Sequence, residues 1–172
     1  IDYQHVDENT EREHLDRAIE IHERVTGARP TGWYLGRCSP NSHRLVAEEG
    51  GFAYNADCYS DDLPYWDSSF DTPQLMIPYT LDANDMRFAT PQGFNSGKQF
   101  YRYLKDSFKI LHAEGGRMMS VGLHCRLAGR PGRAAAVAKF LNYLGKQDDV
   151  WIASRLDIAE HWRKQHPPQE NG

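Results

Sequence analysis

Short apolar runs alternate with longer segments of helical period along almost the whole chain, and that alternation limits the folds open to it. A strand followed by a helix, repeated, sets successive strands parallel with crossover helices between them. The runs are 31–36, 52–57, 74–80, 118–123 and 150–153, most of them bounded by glycine, proline or a polar turn. Pro78 marks the third as an edge or a strand end. Five strands are too few to close a barrel of ~8. The expected fold class is α/β, with either an open sheet or a barrel whose other strands come from elsewhere.

The segments between the runs read as helices. In 7–26, Thr10 and Glu13 have capping-box spacing, and Leu15, Ala18, Ile19, His22 and Val25 form a stripe that Gly27 and Pro30 end. A second helix opens at Ser39-Pro40, with Ser39 as cap, and stops at Gly50-Gly51. Asn95 or Ser96 caps a third, with Phe100, Leu104, Phe108 and Leu111 on one face. Pro131 starts a fourth, and Ser154 with Asp157 caps the last. Segments 59–66 and 81–88 read as polar loops, and 167–172 as a polar tail on a single domain portion, 1–172.

Charge excludes some partners. The 172 residues carry 20 basic and 24 acidic side chains, a net of −4, with no Lys/Arg run to hold nucleic acid. No apolar stretch approaches the ~20 residues of a membrane span. Cys38, Cys58 and Cys125 lack metal-type spacing and read as reduced thiols of a cytoplasmic protein.

The fourth run stops abruptly at His124-Cys125-Arg126. In parallel β/α folds, chemistry gathers at the carboxyl ends of strands. The residues at or just past these ends are Arg37, Asp57, Thr80 with Asn84-Asp85, His124 with Arg126, and Ser154 with Arg155. Such a rim suits acid–base hydrolysis. Histidine can hand a proton to a leaving nitrogen or oxygen near neutral pH. A carboxylate such as Asp57 could orient it, and arginine can fork onto a carbonyl or oxyanion. Asn84 offers both donor and acceptor. Plainer readings stand beside these: a histidine that satisfies a loop carbonyl, a solvated loop for Asp61 and Asp62, a surface ion pair for Arg37. Cys58 could be a nucleophile, though no signature surrounds it.

Several stretches carry a family resemblance. Thr26-Gly-Ala-Arg-Pro30, Gly32-Trp-Tyr-Leu-Gly-Arg37-Cys-Ser-Pro-Asn41 and Ala47-Glu-Glu-Gly-Gly-Phe52 resemble the polysaccharide-deacetylase-like superfamily. Asp61-Asp-Leu-Pro-Tyr65, Pro78-Tyr-Thr-Leu-Asp-Ala-Asn-Asp-Met-Arg-Phe88, Thr90-Pro-Gln-Gly-Phe-Asn95 and Val121-Gly-Leu-His-Cys-Arg126 resemble its allantoinase branch. The resemblance implies the C-terminal part of a distorted (β/α)7-type barrel. It implies opening of the cyclic amide of allantoin to allantoate, in purine breakdown, by a soluble homo-oligomer acting on a small ureide. His124 matches the histidine of the superfamily's last motif, read as general acid. Arg37 matches the arginine of its middle motif, and Asp57 falls near an acidic position that supports the histidine. The expected catalytic pair is then His124 and Asp57. The expected ligand contacts are Arg37, Asp61, Asp62, Asn84, Asp85 and Arg126.

One departure bears on mechanism. The metal-dependent deacetylases carry an Asp and a His-x-x-x-His pair on earlier strands, and this chain contains neither motif. The allantoinase resemblance implies no metal and no cofactor. Such proteins have His-Gly-x-x-Trp just before an Ile-Asp-Tyr, and this chain begins Ile1-Asp2-Tyr3. It therefore reads as the later part of a longer protein, with the base or water-positioning group upstream. Two other readings stay open: a metal-dependent deacetylase of N-acetylated sugars, and a non-catalytic barrel fragment needing a partner chain.

Overall fold

Glycine and proline punctuation sets where the helices stop, and backbone pairing sets where strands exist. The computed structural model describes residues 2–168. These divide into two compact units, Ile1–Tyr79 with Ala153–Gly172, and Thr80–Ile152, where the sequence reads as one domain portion. Residues 169–172 of the expected tail lie outside the described residues.

The first unit opens with α1, Glu8–Thr26, ended by Gly27 at φ 79°. Its N-cap is Asp7, whose carboxylate accepts from the Thr10 amide and hydroxyl at 3.1 and 2.7 Å. The Thr10–Glu13 spacing is therefore not the cap. Next come β1, Gly32–Trp33, and α2, Ser42–Glu49. Helix α2 starts later than Ser39-Pro40 implies, because the Ser39 hydroxyl is engaged by Glu11 and the Asn41 amide. Then follow β2, Tyr54–Asn55, β3, Tyr65–Asp67, and β4, Gln74–Met76. The sheet order is β1-β2-β4-β3. The first two pairings are parallel, with Trp33 opposite Asn55 and Asn55 opposite Met76. Strand β3 lies antiparallel, Trp66 opposite Leu75, within a segment that reads as an irregular loop. Its aromatic residues suit a pleated surface, and β4 offers an open edge within reach of a short turn.

The apolar stripe of α1 packs Leu15 and Ile19 against Leu45, Val46, Phe52 and Trp33. The last helix, α6 in our numbering and spanning Arg155–Gln165, closes the same unit. Its Arg163 guanidinium donates to the Ala53 carbonyl at 2.6 Å, and Trp66 Nε1 donates to the His166 carbonyl at 2.7 Å.

The second unit holds a 3-10 turn, Asp85–Phe88, then α3, Gly97–Glu114, α4, Cys125–Ala128, and α5, Pro131–Leu144. Ser96 and Gln99 form a full capping box on α3. Phe94, Phe100, Leu104, Phe108 and Phe140 form its core, with rings tilted or edge-on.

Two expected strands are absent among the described residues. Segment 118–123 makes a single parallel bridge, Gly122 with Asn84, through Asp85 N to Gly122 O at 2.9 Å and Gly122 N to Ala83 O at 3.0 Å. Segment 150–153 enters no ladder, and Trp151 and Ile152 are 59% and 63% exposed. An apolar run becomes a strand only where a neighbour supplies amide and carbonyl partners along its length.

Candidate active site

The chemistry of the second unit centres on a buried carboxylate. Asp85 is 0% exposed. Its Oδ2 accepts from the His124 amide at 2.8 Å and the Ala128 amide at 2.9 Å, while its Oδ1 lies 2.6 Å from His124 Nδ1. The single bridge at Asn84–Gly122 brings the two segments side by side. The carboxylate is then held by the N-cap amide of α4, His124, and by the amide of its last residue, Ala128. The contact to Nδ1 fixes the tautomer that carries its proton there. Nε2 is left as the nitrogen able to take and return a proton.

This corrects two expectations. Asp57 is not the carboxylate on the histidine. Its Oδ2 and Oδ1 accept from the Leu35 and Gly36 amides at 2.6 and 2.7 Å. Asp85, expected as a ligand contact, is fully buried with both oxygens engaged. The pairing was hidden in the sequence because the partners stand 39 residues apart; the only signal was that both follow apolar runs.

Asp57 has another task in the first unit. By gripping the loop after β1 it fixes the backbone that carries Arg37, whose carbonyl accepts from the Tyr3 amide at 3.3 Å. Gly36 sits at φ 79°, which a side chain rarely adopts. Beyond it, Arg37 is exposed on an open recess of about 470 Å³ with Asp2, Gln4, Cys38, Ser39 and Pro40. A second buried carboxylate supports the same loop: Glu11 accepts from the Ser39 and Ser42 hydroxyls. That role left no motif in the sequence.

The remaining expected contacts are spread out. Asn84 is buried, and its carbonyl oxygen accepts from the Met86 amide at 2.9 Å, capping the 3-10 turn. Asp61 accepts from the Asp62 and Leu63 amides at 2.6 and 3.2 Å, shaping its own exposed loop. Asp62 is exposed beside it, and Arg126 is exposed on α4 two residues past His124. Burial and the Asp57 charge push the Cys38 thiol up to about 12. Burial also raises Cys58, so neither is a ready thiolate nucleophile. Among the described residues no three His, Cys, Asp or Glu side chains converge as metal ligands.

Comparison with known proteins places the fold of this chain in a group. A crystal structure named "probable Polysaccharide deacetylase", from Pseudomonas aeruginosa PAO1, superposes with a TM-score of 0.95 at 57% identity, over 98% of this chain and 58% of that one. The crystal structure of Puue allantoinase gives 0.96 at 55% identity, with the same coverage. A Schizosaccharomyces pombe protein named "Putative polysaccharide deacetylase" is 36% identical over 97% of this chain and 58% of its own length. No family model matches. The chain therefore has a polysaccharide deacetylase-like α/β fold. It spans 58% of the length of the curated relative it matches.

Proposed function

We propose that the protein to which this chain belongs is a hydrolase that opens the cyclic amide ring of allantoin to give allantoate. The observation that carries the reading is the His124–Asp85 pair, whose geometry suits proton delivery, in a chain 55% identical to an allantoinase. In the proposed step, water adds to the ring carbonyl and the carbon–nitrogen bond breaks. His124 Nε2 takes a proton from the attacking water and passes it to the departing nitrogen. Asp85 holds the imidazole in the tautomer this requires. In the first unit, and considered by itself, Arg37 presents a planar fork that suits a carbonyl or ureido oxygen.

The deacetylase names among the relatives favour a second reading, release of acetate from N-acetylated sugars. One experiment separates the two. The protein is incubated with allantoin and with an N-acetylglucosamine oligomer, each with and without chelator. Allantoate formation that survives the chelator supports the first reading. Acetate release that the chelator abolishes, with allantoin untouched, overturns it.

A further inference from the structure

Three tyrosines in the first unit belong to none of the roles above. Tyr34 follows β1 directly, Tyr59 follows β2, and Tyr79 follows β4. These strands are parallel neighbours, so the three side chains leave one edge of the sheet. The pairing continues past the strands, with Ala56 N to Trp33 O, Ile77 N to Asn55 O and Tyr79 N to Cys58 O at 2.9, 2.9 and 2.8 Å, which fixes the rings' relative heights. The Tyr34 and Tyr79 centroids lie 5.0 Å apart with planes tilted 45°, and Tyr59 and Tyr79 lie 6.2 Å apart at 67°. The Tyr34 and Tyr59 hydroxyls are 3.4 Å apart.

Exposure separates their roles. Tyr79 is the half-buried keystone, and the Arg155 guanidinium lies 5.0 Å over its ring. Tyr34 and Tyr59 remain 50% and 46% exposed. Single exposed apolar groups are ordinary, but two rings braced by a third at one strand edge form a patch. Burial and the Tyr59 hydroxyl raise the Tyr34 phenol, so it stays protonated as a hydrogen-bond donor. Tyr34 also folds back over Gly36, since a Cβ there would come 3.1 Å from its hydroxyl. The aromatic surface therefore adjoins the residue that precedes Arg37.

Aromatic faces attract flat rings, and a guanidinium attracts the oxygens on such a ring's edge. We propose that Tyr34 and Tyr59 form the stacking platform for the flat ring of a cyclic ureide, with Arg37 meeting its carbonyl edge. This rests on the allantoin reading above and adds the residues that select for a ring.

The test titrates allantoin, open-chain allantoate and N-acetylglucosamine into the protein and follows tyrosine ring signals by NMR. Allantoin should shift Tyr34 and Tyr59, and allantoate should shift them less. Tyr34→Ala with Tyr59→Ala should weaken allantoin binding roughly three- to tenfold, while the double Phe variant keeps it. Tyr59→Leu, at an exposed position, covers the case in which the double alanine variant misfolds, and should also weaken binding. Unchanged allantoin affinity in a folded alanine or leucine variant overturns the platform, as does N-acetylglucosamine shifting the tyrosines while allantoin does not. If the alanine variant hydrolyses allantoin with unaltered KM, the platform falls and the hydrolysis reading stands. If allantoin stacks on the tyrosines but is not hydrolysed, the platform stands and that reading falls.

Discussion

His124 and Asp85 act as one unit, and substitutions should show it. His124→Ala removes the proton donor and should lower allantoin turnover ~10²–10⁴-fold with little change in melting temperature. Near-normal turnover would take the histidine out of the chemistry. Asp85→Asn should match that loss and also lower the melting temperature. An amide can face Nδ1 with its oxygen only by turning its NH₂ toward the His124 and Ala128 amides, a donor against donors. Arg37→Lys keeps the charge and loses the fork, so KM for allantoin should rise; an unaltered KM would reduce Arg37 to a surface charge. Of these residues, the histidine and Arg37 were legible as polar groups after apolar runs. The partnership was not. A carboxylate after one run reads like a carboxylate after another, and only the pairing of Asn84 with Gly122 decides which meets the ring. Asp57, the plausible choice, spends its oxygens on a loop.

Helices proved more legible than strands because their signals are local. Ser96, Pro131 and Ser154 each stand where periodicity and capping place them. Replacing Ser96 with Ala removes the α3 capping box and should cost about 1 kcal/mol of the second unit's stability, readable by chemical denaturation. No loss would mean that Phe100 and Leu104 hold the helix end unaided. Strands depend on partners that sequence does not name. Hence 118–123 is reduced to one bridge, and Tyr65 and Trp66, at the end of the segment read as a loop, begin a strand. A tertiary contact on α3 sets a pH effect. Burial alone would raise Asp82, but hydroxyl hydrogen bonds from Thr80 and Tyr103, aided by backbone amides, bring it below its ordinary 3.8. A carboxyl lowered on folding adds stability above its unfolded value and loses it as pH falls through the folded one, so this contact weakens only below about pH 4. Tyr103→Phe should therefore lower stability at neutral pH and flatten the acid limb of a melting-temperature profile. An unchanged limb would show that Asp82 does not report on folding.

Across the whole molecule, the first unit is assembled from both ends of the chain, with Thr80–Ile152 lying between its two parts. The α6 contacts from Arg163 and His166 to Ala53 and Trp66 join residues about 100 positions apart. Deleting 153–172 should therefore expose the amides of β2 and β4 to rapid hydrogen exchange while α3 and α5 stay protected. Retained protection in the strands would show that α6 only decorates the sheet. The same discontinuity dictates an order of birth. A ribosome releases β1 to β4 before the second unit, and α6 only after it. The contiguous second unit can finish in between. At roughly 5–20 residues per second the sheet waits on the order of ten seconds for Arg163 and His166 to meet Ala53 and Trp66. Within this chain, the sheet that is made before the second unit is thus completed after it, and the nascent chain is most in need of a chaperone during that interval.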